Sequence, residues 1–578
     1  MATETDRLVE LRVLDGPNVH LTGPTIQLRL DVSHVLDADL ATAQAWGTHV
    51  GLKEPISPGE VRSASRLAFS QRVAKRLVRV LSERTGVTRL RVETRPGWED
   101  TEIMVAFPWR RLGPAEELGR WTAYLLEDLA DLGVKDGVVT AADAWEELLI
   151  KACGRIEQAE DGEHAHVPVP TVPAVGVTGT NGKTTTTRLI AHLAMTAGHR
   201  TAWNSTDGVY ADGVLVEAGD YAGFGGSAQV LETEGIEFAV LEIARGGLLR
   251  RGMGVARLDV AVVTNVTADH LGLMGVHTLD QLAEVKAIAV RAVRRDGWAV
   301  LNAQDPRVLA MREVCTGSIC VFSLDAEAPG VRDALRGGGR AVTVIDGYLV
   351  VLRSSGAPER IVAVKDVPAT LAGLAQHNLA NALAGAAAAL CAGLSTQQVA
   401  DGLRTFVPDP DANPGRLNVW RRNGVTIVVD IAHNEASYAA LLTVCRGLCP
   451  STGTVRAVVG AIGDRTTDII EAIGEVAARG ADEVVIAEKD KYLRDSDAAD
   501  VTRAIQAGAA RVGRGPFRVM PDELSALDAV IADAPSGDVI AFTVHEHLGD
   551  VNDRMRERGA EVATPAEIAV LAKGARRN

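Results

Sequence analysis

The sequence predicts a three-domain α/β protein, and three observations carry that prediction. The chain has 578 residues, too many for one hydrophobic core. Two proline-rich breaks cut it, "EQAEDGEHAHVPVPTVP" at 157–173 and "VPDPDANPG" at 407–415. From about residue 172 onward, short apolar runs alternate with helical periodicity, which implies parallel sheets covered by helices. The expected parts are an N-terminal α+β domain at 1–162, a central domain with a mostly parallel sheet at 172–408, and a C-terminal Rossmann-like domain at 414–578. The first linker, acidic and then proline-rich, reads as extended and exposed.

Composition narrows the function. Apolar residues make up 47% and charged residues 23%, ordinary for a globular chain. The formal net charge of −15 argues against broad binding to nucleic acid or anionic membranes, because neither is attracted to an acidic surface. "LANALAGAAAALCAGL" (379–394) is too short and polar for a membrane span and reads as a packed helix. The N-terminus has no apolar signal region. Cys153, Cys315, Cys320, Cys391, Cys445 and Cys449 show no paired metal spacing and fit a reducing cytoplasm. Cys445 and Cys449 read as two buried thiols.

The N-terminal part mixes strands ("LVELRVLD", "TEIMVAF") with helical stretches such as "SQRVAKRLVRVLSERTG" and offers no catalytic constellation. The central part opens on "GVTGTNGKTTTTR" (176–188). The usual phosphate-loop spacing wants a glycine six residues before the lysine. Here that position is Val177. The context still predicts an anion site. "VPAVGVT" reads as a strand and "KTTTTRLIAHLAMTAGH" as a helix with Leu189, Ile190, Leu193 and Ala194 on one face. Backbone N–H groups between them, at a helix N-terminus, favour phosphate. Lys183 would reach the outer phosphates and the Thr184 hydroxyl would meet magnesium. Threonine forms helix poorly, so a run of them in the first turn makes more sense serving nucleotide or metal. The rival, a glycine-rich capping turn, does not explain Lys183 and Thr184 together.

Two further strands end in polar groups. "EFAVLEIA" (237–244) carries Glu242 near its carboxyl end, where an unpaired carboxylate is costly. A metal ion would offset the cost, and an ion pair with Arg245 is the rival. "LDVAVVTNV" (258–266) ends before Asp269 and His270. His270 has the chemistry of a metal ligand, although a lone histidine is more often structural. The helix "TLDQLAEVKAIAVRAV" opens with Thr278 and Gln281 at capping-box spacing. Its apolar stripe of Leu279, Leu282, Ala289, Val290 and Val293 includes Lys286. A buried lysine there is costly unless paired, and snorkelling is the alternative. The C-terminal part repeats the alternation in "VTIVVDIAHN", "RAVVGAIGD", "DEVVIAEKD" and "DVIAFTVHE".

These segments, with "LEIARGGLLRRG", "VTNVTADHLGLMG", "VLNAQDP", "QHNLANALAGAAAA", "NPGRLNV" and "GAIGDRTTDI", resemble Mur-type peptide ligases. More narrowly, they resemble the Mur-ligase-like half of the cyanophycin synthetase family, over roughly 172–578. The Gly-Thr-Asn-Gly-Lys-Thr loop is that family's variant. "LRVLDGPNVHLTGPTIQLRLDV" more weakly resembles the family's opening domain. The ATP-grasp domain that stands between the two regions in cyanophycin synthetase is missing.

The resemblance implies an ATP-dependent ligase that activates a carboxylate as an acyl phosphate and couples it to an amine, with ATP and magnesium as cofactors. It places Gly179, Thr180, Asn181, Gly182, Lys183, Thr184 and Thr185 around the phosphates, and Thr184, Glu242 and His270 at magnesium. Lys286 matches a lysine that many Mur ligases carry as a carbamate. Asn302, His377, Asn378 and Asn381 fall on the adenine side. Arg416 and Asp430 close on phosphates and ribose. Acid-substrate residues fall in "STDGVYADG" (Thr206, Asp207) and "GDYAGFGGSA" (Asp220, Ser227). His433, Asp464, Arg465, Lys489 and Arg494 fall on the remaining substrate side. Two departures, at Ala222 and Phe224 and in "AEKDKYLRDSD", weigh against arginine and aspartate as substrates. The expected partners are a carboxylate and an amine, with no nucleic acid or membrane, a homo-oligomeric state, and an optional separate ATP-grasp protein. A nucleotide-binding regulator is the rival class.

Overall fold

The computed structural model describes residues 5–135, 137–268, 271–461, 466–489 and 497–575. The N-terminal part is an antiparallel sheet of Leu8–Leu14, Thr25–Asp31, Glu102–Pro108 and Glu93–Pro96 in that spatial order. Ile26, Leu28 and Leu30 alternate with more polar neighbours, the period expected of a sheet with one covered face. They pack under the helices Ala64–Arg84 and Leu112–Asp128.

Among the described residues, the central sheet has eleven strands. Its parallel core runs Thr201–Ser205, Phe238–Glu242, Ala174–Thr178, Leu258–Val263, Val293–Asn302, Ser318–Ser323 and Arg340–Ile345. Antiparallel hairpins close both edges. Helices cover both faces, so Ala174–Thr178 is buried along its length and reads as an unbroken apolar run. That strand lies between those ending at Glu242 and Val263. Three carboxyl ends therefore meet where the chain order reverses, the place where open α/β sheets form a ligand crevice. Both flanking strands are shorter than their apolar runs: residues 243–244 and 264–266 leave the sheet and form the rim.

The alanine-rich segment is the buried helix Gln376–Cys391. It packs against the helix Lys183–Thr196, whose Thr184, Thr185, Thr186 and Thr187 are buried along with its apolar face. The C-terminal sheet holds five parallel strands, Arg518–Met520, Glu483–Ala487, Val455–Val459, Val539–Thr543 and Val425–Asp430, followed by antiparallel Asn418–Arg422 and Glu561–Val562. Both linkers are fastened. The first is largely exposed yet bonds to the N-terminal part through Leu112 N–H to Glu163 O and Ala165 N–H to Arg110 O, each 2.9 Å. In the second, Asn418 Nδ2 donates to Pro408 O and Asn413 O, each at 3.0 Å. Among the described residues, no helix is long and apolar enough to cross a membrane. Cys445 and Cys449 are both buried.

Candidate active site: two cavities sharing one phosphate loop

The loop 179–182 turns sharply between strand and helix. Gly182 has φ 84° and directly precedes the helix Lys183–Thr196. A Cβ built there would collide with Asn381 Oδ1, so both conformation and space demand glycine. The rim of the neighbouring strand clamps the loop. Asn265 Oδ1 accepts from Asn181 N–H at 2.9 Å, Thr264 Oγ1 donates to Asn181 O at 2.7 Å, and Asn265 O accepts from Thr180 N–H at 2.9 Å. Thr267 N–H donates to Thr180 Oγ1 at 3.1 Å. Lys183 Nζ folds back on Thr180 O at 2.9 Å.

One side of this loop faces a cavity of about 260 Å³, lined by residues of the central and C-terminal parts. Asn302, His377, Asn378, Asn381, Arg416 and Asp430 all line it. Asn378 Nδ2 donates to Ala369 O at 3.0 Å, and Asn381 Nδ2 to Asn378 Oδ1 at 3.2 Å. Burial lowers the His377 imidazole to about 4, so it is neutral at pH 7 and suited to packing against an uncharged ring. Burial raises Asp430 to about 6, against the opposing pull of Arg416 and the Leu417 N–H.

The other side faces a cavity of about 430 Å³. Lys183, Thr184, Thr206, Glu242, Lys286 and Arg416 line it together with Arg245 and Arg250. Among the described residues, five cationic side chains line it against one carboxylate, a balance that favours an anion. Arg416, His433, Asn181, Gly182 and Thr185 belong to both cavities.

The geometry fits a divalent cation. Glu242 is fully buried; its Oε1 accepts from Thr184 Oγ1 at 3.1 Å, and its Oε2 has no hydrogen-bond partner among the described residues. Burial raises its pKa, opposed by Lys183, Arg416 and the Thr184 hydroxyl. A carboxylate held this way, beside a hydroxyl at a phosphate loop, has the donor chemistry of a magnesium site. Asn204 fixes it from behind, taking Glu242 N–H at 3.2 Å and donating to Glu242 O at 2.9 Å. His270, the third expected ligand, lies outside the described residues, as do Asp464, Arg465 and Arg494. Among the described residues no cluster of three His, Cys, Asp or Glu could hold a metal. Lys286 is buried and donates to Gly179 O at 2.7 Å. It reaches the cavity from the helix Leu279–Arg291, whose capping box of Thr278 and Gln281 is present.

The family now follows from the sequence. The profile described as Mur ligase middle domain matches residues 177–389, and the Mur ligase, glutamate ligase domain matches 415–543. The UDP-N-acetylmuramyl-tripeptide synthetase of Deinococcus radiodurans is 31% identical over 414 residues, 70% of this chain and 78% of that one. The chain belongs to the Mur ligase family. The cyanophycin synthetase of Crocosphaera subtropica is 38% identical over 371 residues, 60% of this chain. The match spans 42% of that synthetase's own length. A solved bifunctional folylpolyglutamate synthase/dihydrofolate synthase with Mn, AMPPNP and L-glutamate bound aligns over 67% of this chain and 89% of its own, at 18% identity and TM-score 0.49.

Not every expected residue reaches the cavities of this Mur ligase. Asp207 is tied up by Arg188, with Tyr210 Oη donating to it at 2.7 Å and Ser205 donating as well. Burial would raise its pKa, but Arg188 and these hydrogen bonds outweigh burial and hold it below the usual range. Asp220 is exposed and caps Ala222 N–H, and Ser227 is buried in the helix Phe224–Glu232. Lys489 is buried against Glu523, whose carboxylate also takes the N–H groups of His545 at 2.6 Å and His547 at 3.0 Å. A buried charge needs such a partner, so Lys489 is committed to holding the C-terminal part together. Thr264, Asn265, Thr267, Asn204, Arg250 and Asn434 go unread in the sequence, and Arg245 is read there only as an ion-pair partner for Glu242. Only the polar end of "LDVAVVTNV" and the arginines of "ARGGLLRRG" signalled any of them.

Proposed function

We propose that this chain is an ATP-dependent amide ligase that activates a substrate carboxylate as an acyl phosphate and couples it to an amine. The observation that carries this reading is the pair of cavities meeting at one phosphate loop. One, lined by Asn302, His377, Asn378 and Asn381, would take the nucleoside, and the other is a cationic chamber holding Glu242. A triphosphate laid along the loop would present its terminal phosphate to the chamber. A carboxylate oxygen there would attack that phosphorus, breaking its bond to the bridging oxygen and releasing ADP.

Arg416 and Lys183 would offset the charge on the transferring group, where positioning and electrostatics do most of the work. Thr184 and Glu242, with His270, would hold magnesium, which supplies further charge neutralisation. An amine would then attack the acyl carbon, lose its proton and expel phosphate. Closure of the C-terminal part, through Arg416 and His433, would keep water from the acyl phosphate.

The test is ADP release by purified protein against panels of acids and amines, with hydroxylamine trapping the acyl phosphate as a hydroxamate. Hydroxamate that requires both ATP and one class of carboxylate supports the reading. ATP turnover indifferent to every carboxylate would favour a regulator. Turnover appearing only with an added ATP-grasp protein would favour the two-protein reading.

A further inference from the structure

Among the described residues, the N-terminal domain lines neither of the two cavities, yet it is fastened beside the larger one. Arg95 pairs with Glu284 at 3.0 Å and donates to Val19 O at 3.1 Å. Glu284 lies two residues before Lys286 on the same helix. Asp15 pairs with Arg251 at 2.6 Å, and Arg12 donates to Leu249 O at 2.9 Å. Met253 N–H donates to Pro17 O at 2.8 Å. The bonds to Glu284, Arg251, Leu249 and Met253 fasten the domain to the elements on both sides of the chamber.

Between them sits a strained turn, Leu273–Val276. Gly272 N–H donates to Val276 O at 2.9 Å, and Val276 N–H to Leu273 O at 3.3 Å. Met274 has φ 54° and Gly275 φ 74°. A left-handed methionine is costly and persists only where its surroundings hold it. Leu273 and Met274 line the acid-side cavity, and Leu273 O accepts from Arg245. Behind the turn, Met274 and Gly275 border a smaller cavity of about 100 Å³ shared with the N-terminal domain. There the indole of Trp98 stands where a Gly275 Cβ would go. Arg29 lies over that indole at 4.1 Å, and Glu102 accepts the Trp98 backbone N–H at 3.2 Å, which holds the segment that carries the ring.

We propose that the N-terminal domain is a positioning element for the acid substrate, acting through Trp98 on the turn Leu273–Val276. Trp98 touches no reacting atom. It presses on a turn that would relax without it, and Met274 and the Leu273 carbonyl would move with the turn. The proposal rests on the reading of the larger cavity as the acid site.

The test uses full-length Trp98→Ala and Trp98→Phe, with two measurements. Amide exchange of 271–277 is compared with that of 176–188. Hydroxamate formation is measured with N-acetylated dipeptides bearing one free carboxylate as probes. In Trp98→Ala, exchange at 271–277 quickens while 176–188 is unchanged. The acid KM then rises about tenfold with the ATP KM within about twofold, and Trp98→Phe restores most of both. Unchanged exchange at 271–277 overturns the proposal. So does an unchanged acid KM, or acid and ATP KM values rising together. If wild-type protein shows no carboxylate-dependent turnover, the ligase reading fails instead, and the exchange data still decide whether Trp98 braces the turn.

Discussion

Glu242 pays for its place in the fold. A buried acid whose pKa is raised binds its proton more tightly folded than unfolded, so above the unfolded pKa its ionisation opposes folding. Glu242→Gln removes that opposition and keeps an acceptor for the Thr184 hydroxyl. Without nucleotide and magnesium at pH 7.5 the variant should melt above wild type, by about 2–4 °C. Its turnover should fall by about a hundredfold or more. A variant that melts lower would show the carboxylate to be structural. Asp430 supplies a second test. Its pKa of about 6 means that it is a charged acceptor above that pH and becomes a neutral, weaker acceptor as pH falls through it. The ATP KM of wild type should therefore rise between pH 7 and 5, while that of Asp430→Asn, uncharged throughout, stays flat.

At the scale of elements, the phosphate loop was legible because its signal is local. A strand, glycines and a helix N-terminus fall within about a dozen residues, and the capping box at Thr278 is equally short-range. The clamp on the loop was not, because Asn265 reaches Asn181 across 84 positions of sequence. Asp207 and Lys489 looked available for the same reason. Their partners Arg188 and Glu523 lie 19 and 34 residues away, and nothing local marks the pairing. Gly182 tests how tightly the loop is built. Gly182→Ala must adopt φ 84° and also push Asn381 off the loop, so MgATP affinity should fall by about tenfold or more. Gly198, with φ 94° and open space around it, is the control. Gly198→Ala carries the backbone strain alone, and its nucleotide affinity should match wild type by calorimetry.

The proposed chemistry needs the C-terminal part to meet the central one, and two hydrogen bonds contribute to that meeting beside the packing of Leu371 and Ala375 into the C-terminal core. Arg188 Nη1 donates to Ala412 O at 3.0 Å in the second linker. Asn434 Nδ2 donates to Asn181 Oδ1 at 2.9 Å, joining the C-terminal part to the phosphate loop itself. The loop that would hold the phosphates therefore also registers the position of the domain that seals them from water. Asn434 has a second task, capping the helix Glu435–Leu448, so removing it outright would confuse stability with closure. Serine keeps the cap and is too short to span to Asn181. Asn434→Ser should unfold within about 0.5 kcal/mol of wild type yet seal less well. An acyl phosphate exposed to water is hydrolysed rather than aminolysed, so the damage should appear in coupling. The ratio of ADP released to amide formed should climb well above the wild-type value as turnover to amide falls. A ratio equal to wild type, at reduced turnover, would assign Asn434 to nucleotide binding and move the seal elsewhere.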